Sequence, residues 1–184
     1  MRRDGTGAGE FSIAIGEYVL RSVPDGLPAA FEACAQRATL VDRIELAERN
    51  QCCVLLRRMN EPWPFLVVGQ SFSPAGGGFE PGVLLAPDTN RLFIGAGERL
   101  LAYDIVGCKR LWVDQAEMGF LGWARHGDVI LMSAELELAA WTAMGEKLWT
   151  TFVEPPWEYA VLGDTLVLDV MGARSRFPLR QGRP

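Results

Sequence analysis

Apolar and polar residues alternate in short segments along most of this chain, and brief turn sequences separate those segments. From residue 83 onward, pairs of such segments flank the turns "DTN", "HGD" and "LGD". Short alternating runs bounded by Gly, Asn or Asp are typical of strands joined as hairpins. The pattern therefore predicts a series of antiparallel strands in the second half of the chain.

The first part of the chain has a different pattern. The segment "EFSIAIGEYVLRSV" predicts strand structure with a bulge or turn at Gly16. After Pro28, apolar residues recur at helical spacing from Phe31 to Ala38 and predict a helix, the only one expected. The segments "RIELAE" and "CCVLLRRM" predict a hairpin across residues 49–51, and "PFLVVGQSF" predicts a further strand.

Two stretches of the second half repeat one another. "LAYDIVGCKRLW" and "LAAWTAMGEKLW" end on Trp112 and Trp149, which are 149 − 112 = 37 residues apart. At this shift Leu92 aligns with Val129, and a third unit, shifted by 36, aligns Trp123 with Tyr159 (159 − 123). Repeats of about 40 residues that hold several strands are typical of propeller blades. We therefore expect segments 92–94 and 129–131 to be equivalent buried strands, with the two tryptophans in equivalent positions between sheets.

Residues 102–112 and 139–149 resemble the docking motif A-x-D-x-x-T-G-x-x-x-W of β-propellers of the quinoprotein (PQQ) type. The matching residues in the two copies are Ala102, Asp104, Trp112, Ala139, Gly145 and Trp149. The first copy has Gly107-Cys108 in place of Thr-Gly, and the second has Trp141 in place of the aspartate. In that family the motif fastens adjacent blades together. The resemblance therefore implies packing and not quinone binding, and we expect no cofactor.

The repeat covers residues 83–170, about half of the chain, and the first 80 residues do not show its period. A closed propeller typically needs four or more blades. We therefore predict one mainly β domain over residues 1–184. It would contain an incomplete array of antiparallel blade-like repeats at 83–170, an α+β portion with one helix at 10–80, and flexible termini at 1–9 and 175–184.

Charge and composition exclude several classes of partner. A net charge of −5 and a pI near 5.0 oppose a principal role in nucleic-acid binding. No apolar run follows the basic opening residues, and prolines and glycines interrupt the uncharged stretch at 62–79. We therefore expect a cytoplasmic protein without membrane contact. The four cysteines lack metal-ligand spacing, and we propose no metal site.

Catalytic motifs are mostly missing from the sequence. "GQSFSP" lacks the second glycine of a nucleophile elbow, and the only histidine, His126, lies in a turn. Acidic residues in or near turns leave a carboxylate-based reaction open: Asp104, Asp114, Glu117, Asp128, Glu135 and Asp164.

Two tryptophans beside prolines are the best candidates for recognition. Trp63 lies in "EPWPF", and Trp157 lies in "EPPWEY" together with Tyr159. Proline interrupts strand pairing, and exposed tryptophans are favoured interface anchors. We expect a non-enzymatic protein-binding module with an acidic rim, by analogy an inhibitor or immunity-type protein that pairs with a basic bacterial toxin. The alternative is a small-ligand-binding protein or a hydrolase that uses a cleft. Self-association stays open.

Overall fold

Four β-sheets follow one another along the chain. The computed structural model describes residues 10–46, 50–73 and 80–183, and within these ranges it contains sixteen strands and one short helix. The predicted fold class, mainly β with a single helix, is confirmed. The predicted flexible segment 1–9 and residues 74–79 of the uncharged stretch lie outside the described residues.

The first sheet contains five strands in the order β1-β2-β4-β5-β3. Their bounds are β1 Phe11–Ile15, β2 Tyr18–Val23, β3 Leu40–Ile44, β4 Gln51–Arg58 and β5 Leu66–Ser71. Strand β4 lies at the centre, and every residue from Cys52 to Leu56 is buried. An apolar run without alternation needs cover on both faces of the sheet, which explains the central position of this strand.

The predicted hairpin between the third and fourth strands is wrong. Strand β3 pairs in parallel with β5, and β4 pairs antiparallel with β2 and β5. Residue 49 of the predicted turn lies outside the described ranges, as do residues 47 and 48 before it. Alternation along two segments predicts that both are strands, but it does not say which neighbours they pair with.

The helix α1, Phe31–Ala35, covers one face of the first sheet and is shorter than predicted. Phe31, Cys34 and Ala35 are buried against Cys53, Leu55 and Val67 of the sheet. The predicted run from Pro28 is partly a turn, in which the Phe31 amide donates to the Pro28 carbonyl. No helix in the described part of the chain has the length and apolarity needed to cross a membrane.

The second and third sheets are four-stranded meanders, and each strand pairs antiparallel with the next. The second contains β6 Gly82–Ala86, β7 Arg91–Ala96, β8 Arg99–Asp104 and β9 Lys109–Gln115. The third contains β10 Phe120–His126, β11 Val129–Ala134, β12 Glu137–Thr142 and β13 Lys147–Phe152. Antiparallel neighbours in sequence order need only short turns, which matches the regular spacing of the turn residues.

The fourth sheet has three strands, β14 Trp157–Leu162, β15 Thr165–Val170 and β16 Ala173–Pro178. The prediction of a flexible tail from residue 175 is therefore wrong for residues 175–178. The carbonyl of Leu179, just after β16, accepts a hydrogen bond of 2.8 Å from Trp149 Nε1. This bond ties the chain after β16 to the third sheet.

The repeat is real, but the predicted shift of 37 is wrong by one residue in the middle strands. Leu92 and Ile94 face the first sheet, whereas Val129 and Leu131 face the fourth. Phe93 pairs with Ala102 in the second sheet, and Leu131 pairs with Ala140 in the third. The equivalent residues of the two sheets are therefore 38 positions apart (131 − 93 and 140 − 102). A slip of one residue turns every side chain of a strand to the other face.

The two outer faces of the stack differ from the faces between sheets. Four positions of the third sheet that face the fourth are apolar and buried: Val129, Leu131, Leu138 and Ala140. A shift of 36 places Thr165, Val167, Arg174 and Arg176 at the equivalent positions of the fourth sheet, where three of the four are exposed. Polar outer faces are typical of terminal repeats. The stack thus has a polar face at one end and α1 at the other.

Candidate functional site

Trp63 lies in the loop between β4 and β5, and its side chain is 41% exposed. Pro62 and Pro64 flank it and lack amide hydrogens, so the loop departs from the sheet at this point. The Arg37 guanidinium carbon lies 4.2 Å from the centre of the Trp63 ring, and Arg37 Nη1 donates to the Ala33 carbonyl at 2.9 Å. The cation–π contact holds the ring in place while much of it faces solvent.

A cavity of about 270 Å³ lies beside Trp63. We call the ring, this cavity and its rim the Trp63 surface. Most of the lining is apolar: Val19, Ala30, Cys34, Leu55, Pro62 and Pro64. Arg57 Nη1 donates to the carbonyls of Arg58, Met59 and Glu61 at 3.2, 3.0 and 3.1 Å. These bonds fix the loop that carries Trp63, so the surface is preformed.

The rim of the Trp63 surface is cationic. Arg21 and Arg57 line the cavity, Arg37 lies on the ring, and none of the described lining residues is acidic. Arg21 pairs with Glu10 at 2.6 Å. The acidic rim expected from the net charge is not found among the described residues that line this cavity, because the overall charge of a chain does not specify which charged residues lie together.

Trp157 and Tyr159 lie on the inward-facing side of β14, and both are half-buried. Their rings stack with centroids 6.3 Å apart, and Trp157 Nε1 donates to the Glu135 carbonyl at 3.0 Å. The structure therefore places Trp157 and Tyr159 in the packing between the third and fourth sheets. It does not bring them to the Trp63 surface, since they line different cavities.

A second cavity, of about 630 Å³, lies between the third and fourth sheets. Its polar lining includes His126, Asp128, Asp164 and Arg180, and we call it the His126 cavity. The His126 ring lies edge-on to Tyr159 with centroids 6.4 Å apart, and its Nε2 is buried without a partner among the described residues. Asp128 forms an ion pair with Arg180.

The His126 cavity collects only two of the six carboxylates considered from the sequence. Asp128 and Asp164 line it, whereas Asp104, Asp114, Glu117 and Glu135 do not. Its described lining contains no serine, threonine, cysteine or lysine that could act as a nucleophile. The groups present could bind a polar ligand or act in acid–base chemistry, but they do not form a nucleophile–histidine–acid set.

The motif residues lie where adjacent sheets meet. Trp112 Nε1 donates to the Gly145 carbonyl of the third sheet at 2.6 Å, and Trp149 Nε1 donates to the Leu179 carbonyl beyond the fourth at 2.8 Å. Ala102 and Ala140 lie directly opposite the two tryptophans, so Ala139 is one position away from the equivalent site. Each ring therefore links its own sheet to the next one.

Asp104 closes the turn between β8 and β9. Its Oδ1 accepts hydrogen bonds from the amides of Gly107 at 3.0 Å and Val106 at 3.2 Å, and it pairs with Arg91 at 3.2 Å. The Gly107 amide bond is the main reason that the pKa of Asp104 is lowered, and the Arg91 charge adds to the effect. This carboxylate has a structural role in the turn.

The thiols of Cys52 and Cys53 are inert because both side chains are buried. The four cysteines are free, and burial raises the pKa of Cys52 and of Cys53 to about 12. Both side chains are fully buried. Within residues 10–46, 50–73 and 80–183, no three His, Cys, Asp or Glu side chains are placed to hold a metal ion.

Sequence reasoning missed the arginines of the Trp63 surface. Arg37 follows α1, Arg57 lies in β4, and Arg21 lies in β2, so only the fold brings them to one loop. Nothing in their local sequence distinguishes them from other surface arginines.

Comparisons with known proteins show the fold. No protein-family model and no curated protein matches the chain. BamB from Moraxella catarrhalis, a β-propeller of PQQ-like repeats, is similar in structure over 94% of this chain at 13% identity and a TM-score of 0.51. The match covers 46% of the BamB chain, so this chain spans about half its length. It shows a propeller-like β fold.

Weaker likenesses include the computationally designed Ika4 protein and Hsv2 of Kluyveromyces lactis. Ika4 is 14% identical over 61% of this chain and 73% of its own, with a TM-score of 0.39. Hsv2 is 13% identical over 56% of this chain and 33% of its own, with a TM-score of 0.33.

Proposed function

We propose that this chain is a non-enzymatic protein-binding module that engages its partner through the Trp63 surface. The observation that carries the proposal is the exposure of Trp63, held by Arg37 beside a preformed apolar cavity. Interface energy concentrates in tryptophan and arginine side chains next to pockets, and this loop supplies both. A cytoplasmic location is part of the same proposal.

The rigidity of the loop supports a binding role. The three hydrogen bonds from Arg57 and the contact of Arg37 with the ring order the loop before any partner arrives. A preformed surface loses less conformational entropy on association than a flexible one. Trp157 is less suited to bind a partner, because its ring packs between the third and fourth sheets.

The charges around Trp63 favour an acidic contact on the partner. Arg37 and Arg57 surround an apolar cavity, and a segment with an apolar side chain flanked by carboxylates fits that arrangement. An inhibitor or immunity-type role is compatible with this proposal. A basic partner, which we expected from the acidic composition of this chain, is not favoured at this loop.

The experiment compares capture by three forms of the protein. Wild type, Trp63→Ala and Val113→Ala are immobilised, and proteins retained from a lysate of the source organism are quantified by mass spectrometry. Val113 is the matched control, since it is 50% exposed and lies in β9 of the second sheet. We expect a retained protein whose recovery falls about tenfold with Trp63→Ala and stays unchanged with Val113→Ala.

Two further measurements complete the test. Trp63→Ala should change the free energy of unfolding by less than about 1 kcal/mol, because the ring is partly exposed. Recovery of the partner should fall as salt is raised, since ions screen the arginine rim. Equal recovery with all three forms, or no specific protein retained by wild type, refutes the proposal.

The His126 cavity supports a second candidate function, a polar small-ligand site or carboxylate-based hydrolase. It is larger than the cavity of the Trp63 surface and contains two carboxylates and the only histidine of the sequence. A panel of ester and glycoside substrates tests it. Turnover that disappears with both His126→Ala and Asp164→Asn would establish this function in place of the first.

A further inference from the structure

Strand β16 has a free outer edge within the part of the chain that the structure describes. It pairs with β15 on one side, whereas the third strand of each of the two preceding sheets pairs with a fourth strand on its outer side. The equivalent strand of the third sheet, β12, uses its outer edge to bind β13. Within the described residues, no strand takes this place beside β16.

The hydrogen-bonding groups of the free edge follow from the hairpin register. Val170 pairs with Ala173 across a two-residue turn, which makes Ala173, Ser175 and Phe177 the residues that bond to β15. The amides of Arg174 and Arg176 therefore point away from the sheet. Pro178 has no amide hydrogen, so the edge ends there.

The side chains along the free edge are basic. Arg174 and Arg176 are both exposed on the outer face, and no acidic residue follows Asp169 in a segment that also holds Arg180 and Arg183. Arg174 pairs with Asp169 at 2.8 Å, and Arg180 pairs with Asp128. Arg176 forms no ion pair with any described residue.

We infer that the outer edge of β16 binds an extended acidic segment of another protein, which adds to the fourth sheet as an antiparallel strand. Acidic side chains at alternate positions of that segment lie opposite Arg174 and Arg176, on the same face of the sheet. Main-chain hydrogen bonds to the two arginine amides provide the affinity of strand addition, and the alternating charges select the sequence.

A second copy of this chain fits the edge poorly. In an antiparallel pair of two β16 strands, the central registers place Arg174 opposite Arg176, or either arginine opposite itself. Like charges directly opposite one another destabilise a strand pair, and basic residues on an edge are a known protection against self-association. Charge complementarity therefore favours an acidic partner strand over a second copy.

A synthetic peptide tests the inference directly. The probe is a fluorescein-labelled peptide of about ten residues that alternates glutamate with valine, and fluorescence anisotropy measures its binding to the full chain. One control peptide replaces glutamate with lysine. Another keeps glutamate but is N-methylated at each glutamate, which removes the amide hydrogens that face β16 in the proposed register and blocks that edge of the peptide. We expect binding of the first peptide alone.

Charge reversal locates the site. Arg176→Glu should weaken binding of the peptide about tenfold, because it converts an attractive cross-strand pair into a repulsive one. Lys109→Glu is the matched control, an equal charge reversal at an exposed residue on the outermost strand of the second sheet, and should leave binding unchanged. Trp63→Ala should also leave it unchanged, so this inference and the proposed function fail separately.

Amide hydrogen exchange separates strand addition from simple charge attraction. In the peptide complex, the amides of Arg174 and Arg176 should exchange more slowly, while those of Ser175 and Phe177 are already protected by β15. The inference is overturned by no binding of the glutamate peptide, by equal binding of the N-methylated peptide, or by unchanged exchange at the two arginines. Dimers in sedimentation experiments that Arg176→Glu alters would identify a second copy as the occupant instead.

Discussion

Replacement of Trp149 by alanine tests whether the repeated tryptophans hold neighbouring sheets together. The Trp149 ring lies edge-on to Phe177, with centroids 5.8 Å apart, and its Nε1 donates to the Leu179 carbonyl. Gly182 lies against the same ring, so closely that a β-carbon at this position would collide with it. The substitution therefore removes a link between the third sheet and the chain beyond β16.

The expected loss follows from these contacts. Truncation of a fully buried tryptophan to alanine costs about 3–5 kcal/mol. Trp149 is half-buried, so we expect a loss of about 3 kcal/mol, of which the hydrogen bond contributes about 1 kcal/mol and the aromatic pair about 1 kcal/mol. Domains of this kind have total stabilities of about 5–15 kcal/mol, so the variant should still fold.

Guanidinium unfolding followed by far-ultraviolet circular dichroism measures the loss, because tryptophan fluorescence changes with the substitution itself. Trp149→Phe keeps an aromatic ring but not the donor, and should lose about 1–2 kcal/mol. Trp63→Ala is the exposed control. A loss below about 1 kcal/mol for Trp149→Ala would show that the ring does not link the sheets.

Three further predictions follow from individual contacts. Arg125 lowers the pKa of Asp88 to about 2 from an ordinary value of 3.8. The contribution of this ion pair to the stability of the fold is therefore complete above pH 3.8 and is lost as pH falls toward 2. The free energies of unfolding of Asp88→Asn and wild type, measured against pH, should converge there. Gly145→Ala should lower the free energy of unfolding, measured by chemical denaturation, by about 1–2 kcal/mol, because φ is +92° and a β-carbon would lie 3.2 Å from Leu111 Cδ1. At pH 8, a disulfide reagent should label Cys108 in the native protein, but Cys52 and Cys53 only after unfolding.

Sequence patterns predicted the strands of the second half, but they assigned the side chains of β11 and β12 to the wrong faces of the third sheet. Deletion of a residue between β12 and β13, relative to the first copy, restores the tryptophans to a shift of 37 while the preceding strands are shifted by 38. Leu92 aligns with an apolar residue whether the shift is 37 or 38, because both faces of these strands are buried and apolar. Hydrophobicity alone therefore could not detect the slip.

The first sheet and the candidate surface were harder to predict. The parallel pairing of β3 with β5 joins segments that are separated by the whole of β4, and no local signal specifies it. The exposure of Trp63 could be predicted from the prolines beside it, because proline lacks the amide hydrogen that strand pairing needs, whatever the fold. The arginines around it come from three separate elements, and only their arrangement in the fold reveals a cationic rim.

The two proposed binding surfaces lie at the two ends of one stack, and this position has a physical reason. Each inner sheet buries apolar faces against its neighbours, whereas a terminal sheet must cover its outer face or make it polar. At one end α1 covers the first sheet, and the Trp63 cavity forms where this cover is incomplete. At the other end arginines replace Leu138 and Ala140, which keeps the face of the fourth sheet soluble and leaves the edge of β16 basic. The features that distinguish these two outer faces from the faces between sheets are therefore the ones on which both proposals rest.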